Sequence, residues 1–300
     1  MAESAASLRG RPVIVTGAGG WLGQAALNMA HKAGAQLYAF GASARPYKLH
    51  DGTSLLIRPL AALDDLALPG AFIFHMAFLT REHASTMPVA DYITANRAIS
   101  DHVARFIRRH GANGLFVPSS GAVYAPPPNP YGDCKREDET LFTQLGQQHA
   151  IPTVIMRVFN LAGPFINKLD SYALACIVAD IVARRPITLR AAHPVWRGYA
   201  HVNDVLHLAL GLLHQGISPP VFDSWGEPVE LSTLARRAAR LLGRPETEII
   251  RPTWQNGTAD HYLGDAIAYN AHMASLALEP ASLERQILDT AAYLGKCFSI

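Results

Sequence analysis

The chain contains very little cysteine, only three residues in 300. Cys134, Cys176 and Cys297 lie far apart and lack the spacing of metal ligands, so the sequence indicates neither a disulfide framework nor a metal site. Low cysteine usage without disulfides is typical of proteins from a reducing compartment. We therefore expect a cytoplasmic protein that holds no metal.

Long hydrophobic runs and a strong charge of one sign are also missing. No segment reaches the roughly 20 consecutive apolar residues that a membrane span requires, and residues 1–11 show no apolar signal-peptide core. The formal net charge is only +2, and the basic residues are scattered. We therefore expect neither a nucleic-acid partner nor a membrane partner.

Apolar residues, in contrast, make up 49% of the sequence. A chain of 300 residues buries a large core and has room for one large domain or two modest ones. Size and composition together favour a globular enzyme.

Short apolar runs alternate with helical patterns through the first half of the chain, which predicts a parallel β-sheet with helices on both faces. The predicted strands are residues 13–15, 36–40, 55–57, 72–76, 115–118 and 153–158. The predicted helices are residues 93–109, 133–148, 231–242 and 283–294, and glycines at 243 and 295 are expected to end the last two. Frequent prolines in the second half indicate a smaller, partly interleaved domain.

A glycine fingerprint follows the first predicted strand. Residues 16–23 have glycine at 17, 20 and 23, directly before an Ala/Leu-rich helical stretch. Glycine at these places allows a tight turn, close approach of the backbone to a pyrophosphate, and close packing of the following helix on its strand. The N–H groups at the start of that helix bind phosphate. The pattern predicts a doubly wound Rossmann-type sheet that binds a dinucleotide.

A second group of residues points to a reaction. Ser119 and Ser120 follow the fifth predicted strand, and Tyr131 stands four residues before Lys135. Residues four apart share one face of a helix, so the Lys135 ammonium is expected to stabilise the phenolate form of Tyr131. A phenol prepared in this way passes a proton while a nicotinamide passes a hydride.

Together these motifs resemble the extended short-chain dehydrogenase/reductase family, particularly its nucleotide-sugar epimerases, dehydratases and ketoreductases. The resemblance spans nearly the whole chain. Besides the glycine fingerprint and the Tyr131–Lys135 pair, the matching stretches are His75-Met76-Ala77, Asn96, Ser119-Ser120, Val123-Tyr124 and residues 157–164, 197–205 and 276–280.

The resemblance implies a role for each matching residue. Tyr131 would be the acid/base, Lys135 would tune it and hold the nicotinamide ribose, and Ser120 would hydrogen-bond the reacting sugar oxygen. Asn160 and Arg197 would contact the nucleotide diphosphate of the substrate. The residues expected to hold the cofactor are Gly17, Gly19, Gly20, Trp21, Leu22, Gly23, Ser43, Arg45, Ala77, Asn96, Tyr131 and Lys135.

The resemblance also implies that cofactor and substrate are bound by different domains. Residues 9–160 and 198–226 would form the dinucleotide-binding domain, and residues 161–197 and 227–300 would form an α/β substrate-binding domain. Similarity to the family further implies a homodimer, formed through the helices predicted at 93–109 and 133–148.

The sequence departs from the family pattern at the cofactor. Family members that use NAD place an acidic residue at the end of the second strand, whereas residues 38–45 here contain no carboxylate and Gly41 stands at about that place. The missing acid removes repulsion toward a ribose phosphate, which Ser43 and Arg45 are placed to bind. The sequence therefore favours NADP over NAD.

The two residues before Val123 reduce the number of reactions that the resemblance allows. Dehydratases of the family have an Asp-Glu pair there, and this chain has Gly121-Ala122, which leaves epimerisation or reduction of a 4-keto sugar. An epimerase suits tightly held NAD, whereas a ketoreductase exchanges its cofactor in each cycle and suits NADP.

The family's second diphosphate-binding arginine has no clear counterpart. Arg251 stands too early, and residues 256–260 contain no arginine. Two alternatives therefore stay open: an NADPH-dependent reductase of a small carbonyl compound without a nucleotide, and a non-catalytic NAD(P)-binding scaffold. The complete Ser120, Tyr131 and Lys135 set argues against the scaffold.

Overall fold

Strands and helices alternate along the chain in the computed structural model, which describes residues 8–127, 129–253 and 257–297. The elements are β1 Pro12–Thr16, α1 Trp21–Lys32, β2 Gln36–Gly41, β3 Arg45–Lys48, β4 Ser54–Pro59, β5 Phe72–His75, α2 Arg81–Ala84, α3 Val89–His110, β6 Gly114–Ser120, α4 Pro130–Gln148, β7 Thr153–Val158, β8 Asn160–Ala162, α5 Ala173–Val182, β9 Ile187–Thr188, β10 Val195–His201, α6 Val202–His214, β11 Phe222–Asp223, β12 Pro228–Glu230, α7 Leu231–Leu241, β13 Ile249–Ile250, β14 Asp260–Tyr262, α8 Ala266–Ser275 and α9 Leu283–Cys297. None of the helices formed by the described residues combines the length and hydrophobicity of a membrane span.

The chain divides into two compact units. The first comprises residues 1–157 and 206–222, and the second comprises residues 158–205 and 223–300. The predicted assignment of cofactor binding to one domain and substrate binding to the other stays a prediction.

An eight-stranded sheet, in the order β11-β7-β6-β5-β1-β2-β4-β3, organises the first unit. β1 pairs in parallel with β2 and β5, while β2–β4 and β5–β6 are also parallel pairs. Since parallel strands need crossover connections, helices lie between most of them along the chain. The predicted Rossmann-type α/β sheet is confirmed.

The core of the first unit forms where α3 and α4 pack on this sheet. The fully buried Phe106 of α3 and Phe142 of α4 meet strand residues such as Ile14, Ile73 and Val117 in one apolar cluster. Both helices were predicted to face the sheet because their apolar side chains recur at helical spacing, and their buried residues follow that pattern.

One strand was not predicted, and one predicted helix end is wrong. Strand β3 was not predicted, because its sequence Arg-Pro-Tyr-Lys is short and mostly exposed; it runs antiparallel to β4 at the sheet edge. Gly243 lies just beyond α7 with a φ of +71°, as expected, but α9 continues through Gly295. Gly295 is not among the described residues with positive φ, so it lacks the left-handed conformation with which glycine ends a helix.

The second unit has its own small sheets. β10 pairs antiparallel with β12 and parallel with β14 and β8, while β9 pairs in parallel with β13. Helices α5, α7 and α9 supply most of the remaining packing contacts of this unit.

Replacing Phe142 with alanine removes a fully buried ring, and we expect the free energy of unfolding to fall by about 3–5 kcal/mol. The matched control is Gln144→Ala on the exposed side of the same helix, expected to change the value by no more than about 0.5 kcal/mol. Urea-induced unfolding followed by circular dichroism measures both. Equal costs for the two variants would contradict the packing of α4 on the sheet.

Candidate active site

The loop between β1 and α1 has the geometry that a dinucleotide phosphate requires. Gly17 has a φ of +64°, and a Cβ there would lie 2.5 Å from a backbone carbon of the segment after β5. A Cβ on Gly23 would lie 2.2 Å from the Gly17 carbonyl oxygen, because α1 packs closely on the turn. Gly20 is the N-cap of α1. The helix begins at Trp21, followed by Leu22, and has no acidic side chain in its first turn. The loop therefore fits a pyrophosphate at the helix start.

Arg45 of β3 lies over this loop. A Cβ on Gly19 would lie only 2.1 Å from Arg45 Nη2, so the absence of a side chain at Gly19 leaves the room that the guanidinium occupies. The Gln24 amide donates a 3.0 Å hydrogen bond to the Gly19 carbonyl oxygen and accepts one of 3.1 Å from the Tyr47 hydroxyl, which ties β3 to the loop. Ser43 lies exposed between β2 and β3. The structure thus brings a cation to the glycine loop.

The end of β5 is braced from β1 and from α3. Thr16 Oγ1 lies 2.7 Å from His75 Nδ1 and accepts a 3.2 Å hydrogen bond from the Ala77 N–H. Asn96 Oδ1 accepts a 2.8 Å hydrogen bond from the Leu79 N–H. Burial lowers the pKa of His75 to about 3, so its imidazole is neutral. In this structure Ala77 and Asn96 fix the backbone beyond the strand.

Tyr131 and Lys135 face the same aromatic ring at the start of α4. The Phe78 ring meets the Tyr131 ring edge-on with centroids 5.7 Å apart, and Lys135 Nζ lies 3.6 Å from the Phe78 centroid. The Lys135 ammonium also donates a 3.0 Å hydrogen bond to the Pro118 carbonyl oxygen, two residues before Ser120. Lys135 is buried, and desolvation lowers its pKa to about 8.

Helix α4 begins where it does because its first residues are built for a helix start. Asn129 Oδ1 accepts a 2.9 Å hydrogen bond from the Gly132 N–H, and Pro130 occupies the first turn, where a missing N–H costs nothing. A Cβ on Gly132 would lie 2.5 Å from the Ala122 carbonyl oxygen. Glycine at 132 thus lets the helix start approach the segment that follows Ser120. Pro128, part of the proline-rich loop before α4, lies outside the described residues.

A buried ion pair holds the segment around Ser120 at both ends. Glu139 accepts hydrogen bonds of 2.8 and 2.7 Å from Arg157 and one of 2.6 Å from the Ser119 hydroxyl. The same guanidinium donates a 2.5 Å hydrogen bond to the Tyr124 hydroxyl. The side chain of Ser120 accepts a hydrogen bond of 3.2 Å from a backbone N–H within the segment. Residues 119–124 are therefore tied to α4 and β7 together.

The predicted diphosphate ligands lie in the second unit, within one small sheet. The Asn160 amide donates hydrogen bonds of 3.2 and 3.4 Å to the carbonyl oxygens of Gly198 and Tyr262. Arg197 forms a 2.7 Å ion pair with Asp260. Arg251, which stands too early to match the second diphosphate-binding arginine, donates hydrogen bonds to Glu230 and to the carbonyl oxygens of Ala191 and His193.

Sequence reasoning missed three residues that shape the site. Phe78 follows the matching His-Met-Ala stretch, but a lone aromatic residue after a strand carries no signal that it will face Lys135. Glu139 and Asp138 lie one turn beyond Lys135, and helical spacing alone places both near it. Among the described residues, no group of three or more His, Cys, Asp or Glu is arranged to hold a metal ion.

Replacing Arg157 with methionine leaves the Glu139 carboxylate buried without its cation, and we expect a loss of about 3 kcal/mol of stability. Amide hydrogen exchange should also quicken in residues 119–124, since the variant loses the hydrogen bond to Tyr124 and leaves the carboxylate that Ser119 contacts without its cation. The matched control is Arg185→Met, which breaks an exposed pair with Asp180 and should cost less than about 1 kcal/mol. Unchanged exchange in residues 119–124 would contradict the role given to Arg157.

Comparison with known proteins identifies the family. The family model of the NAD dependent epimerase/dehydratase family matches residues 13–223. The chain is 26% identical over 271 residues to a dTDP-4-dehydro-6-deoxy-D-allose reductase of Streptomyces bikiniensis, covering 79% of this chain and 83% of that protein.

Solved structures share the fold. The UDP-N-acetylglucosamine 4-epimerase of Methanobrevibacter ruminantium superposes with a TM-score of 0.78 at 16% identity, covering 96% of this chain and 99% of that one. The UDP-glucose 4-epimerase of Thermotoga maritima gives a TM-score of 0.76 at 17% identity, covering 96% and 100%. With the glycine loop and the match over residues 13–223, we conclude that this chain belongs to the NAD dependent epimerase/dehydratase family.

Proposed function

We propose that this protein is an NADPH-dependent oxidoreductase that reduces the keto group of a nucleotide-activated 4-keto sugar. The observation that carries the proposal is the placement of Tyr131 and Lys135 on one face of α4, against the Phe78 ring and beside the strand end that bears Ser120. Similarity to a dTDP-4-dehydro-6-deoxy-D-allose reductase supports reduction as the reaction.

Each of the three residues has a distinct task in this reaction. When bound, the nicotinamide supplies the hydride. The Tyr131 hydroxyl donates the proton that the carbonyl oxygen needs as it becomes an alcohol, and the Ser120 hydroxyl hydrogen-bonds the same oxygen. The Lys135 ammonium stabilises the phenolate left on Tyr131, since it is buried and contacts the same Phe78 ring as Tyr131.

Preference for NADPH is proposed from the surroundings of the glycine loop. β2 ends at Gly41 without a carboxylate, so nothing at that strand end repels a ribose phosphate. The Arg45 guanidinium, which lies against Gly19, supplies planar donors for such a phosphate. Ser43, which is exposed two residues before Arg45, supplies a hydroxyl for the same ribose phosphate. An epimerase that keeps its NAD bound would need neither feature.

The nucleotide part of the substrate is proposed to be held by Arg197 and Asn160. Arg197 is paired with Asp260, so its charge is partly neutralised before any ligand arrives. This pairing favours one second candidate, a reductase of a small carbonyl compound that carries no diphosphate. Competition separates the two: dTDP or UDP should inhibit a nucleotide-sugar enzyme and leave the alternative unaffected.

The assembly proposed for the protein is a homodimer formed through α3 and α4. The described outward-facing residues of these helices are largely polar, and Arg97 of α3 pairs with Glu137 of α4 at 2.7 Å. An interface on this face would therefore be held mainly by polar contacts.

Replacing Tyr131 with phenylalanine removes the proposed proton donor, and we expect turnover to fall about 10²–10⁴-fold while NADPH binding is unchanged. Tyr38→Phe, a phenol on β2, is the control and should keep full activity. Steady-state rates and a cofactor titration measure the two quantities. Turnover near the wild-type value in the Tyr131 variant would refute the acid/base assignment.

Replacing Arg45 with leucine removes the proposed ribose-phosphate ligand. We expect NADPH affinity to fall about tenfold or more, while NADH affinity stays the same. Lys48→Leu removes a cation from the same exposed strand and serves as control. Nicotinamide fluorescence titrations give the six dissociation constants, for the wild type and both variants with each cofactor. Equal losses for both cofactors would argue against a phosphate contact at Arg45.

A further inference from the structure

Lys135 holds its ammonium in a buried place with little polar contact. Lys135 is about 6% exposed, and among the described residues Nζ has one hydrogen bond, to the Pro118 carbonyl oxygen, besides its contact with the face of the Phe78 ring. A buried charge is costly unless an opposite charge lies nearby. The surroundings of Lys135 therefore raise the question of which group supplies its counter-charge.

The groups facing Lys135 come from several elements. His75 at the end of β5 is neutral, and burial raises the pKa of the Cys134 thiol on α4 to about 11, so it is uncharged as well. Glu139 on α4 is already bound by Arg157 and Ser119. Tyr131 supplies a phenol, and β6 supplies the carbonyl of Pro118. None of these groups is an uncommitted anion.

Asp138 is the remaining acid. It is about 6% exposed and lies three residues after Lys135, on the same side of α4. Its Oδ1 accepts a 2.6 Å hydrogen bond from the Ser100 hydroxyl of α3, while its Oδ2 has no hydrogen-bond partner among the described residues. It forms no ion pair within 4.0 Å among them, so its carboxylate is not in direct contact with the Lys135 ammonium. Burial raises the pKa of Asp138, and Lys135 is the strongest influence opposing that rise.

We propose that Asp138 is the counter-charge of Lys135, a buried carboxylate that keeps the ammonium protonated in the apolar surroundings of α4. Asp138 acts on the reaction only through Lys135 and is therefore a positioning residue; its importance for turnover rests on the proposed function. Ser100 orients the carboxylate and supports its ionised form.

The sign of the expected effect follows from the charges. Removing the anion takes away the largest influence that opposes desolvation, so the pKa of Lys135 falls below its value of about 8. A larger share of the enzyme then carries a neutral amine at neutral pH. If Lys135 serves Tyr131 as proposed, the alkaline limb of the pH–rate profile moves to lower pH by the same amount.

The test is direct titration of Lys135 by NMR in the protein labelled with ¹³C at the lysine Cε. The sequence holds only five lysines, and the Lys135 signal is the one that Lys135→Met removes. We expect Asp138→Asn to lower the Lys135 pKa by about one unit, a tenfold change in proton affinity. The experiment needs neither cofactor nor substrate. If the Lys135 pKa falls as expected but the wild-type protein proves inactive, the result counts against the proposed function alone.

Two controls separate charge from packing. Glu137→Gln makes the same chemical change at the neighbouring position, where the acid is exposed and paired with Arg97, and should leave Lys135 unchanged. Ser100→Ala loosens the contact between α3 and α4 but keeps the carboxylate, so Lys135 should stay close to its wild-type value. A shift in Ser100→Ala as large as that in Asp138→Asn would overturn the proposal.

Wild-type protein provides a further test that does not depend on how any variant folds. The Lys135 signal should show a second, acidic inflection as Asp138 takes up its proton, because the two sites are coupled. Its absence, or an unchanged Lys135 pKa in a folded Asp138→Asn variant, would contradict the pairing.

Discussion

The contact between α4 and the end of β6 is the constraint on which the candidate active site depends. Lys135 and Arg136 donate to the carbonyl oxygens of Pro118 and Val123, and Glu139 accepts from Ser119. All three side chains come from two successive turns of one helix, so they act on the same short segment. The positions of Tyr131 and Ser120 follow from this contact, since one lies on the helix and the other on the segment it holds.

Three buried ionisable side chains of the first unit lie near this contact, and each is stabilised in a different way. Glu139 is neutralised by Arg157 through two hydrogen bonds. His75 stays neutral, since burial disfavours its protonated form. Lys135 remains a buried ammonium, and a cation near a phenol is what acid/base chemistry by tyrosine requires. The buried charges and the hydrogen bonds between α4 and the end of β6 therefore both act on the surroundings of Tyr131 and Lys135.

The sequence predicted what depends on local spacing and missed what depends on packing. Glycines such as Gly17 and Gly23 were recognisable because each meets a backbone restriction within its own motif. Phe78 and β3 were not, because the contacts of Phe78 come from elements distant along the chain and β3 is a short exposed edge strand. Helical spacing places Asp138 near Lys135, but it does not reveal the contact of Asp138 with Ser100 of α3. The error at Gly295 has a separate cause, since this glycine does not adopt the positive φ that Gly243 adopts and α9 continues through it. The family resemblance was confirmed, whereas the roles of the individual site residues stay predictions.

The proposed reaction is tested first by whether the purified protein oxidises NADPH when it receives a nucleotide-activated 4-keto sugar. Nicotinamide fluorescence follows the oxidation of NADPH, and mass spectrometry follows the sugar. Together they show whether a hydride and a proton both reach the substrate. We predict that NADPH is exchangeable and that it is consumed in the same amount as a sugar product two hydrogen atoms heavier is formed. Co-purified NAD that resists exchange, with interconversion of sugar epimers and no net oxidation of NADPH, would contradict it.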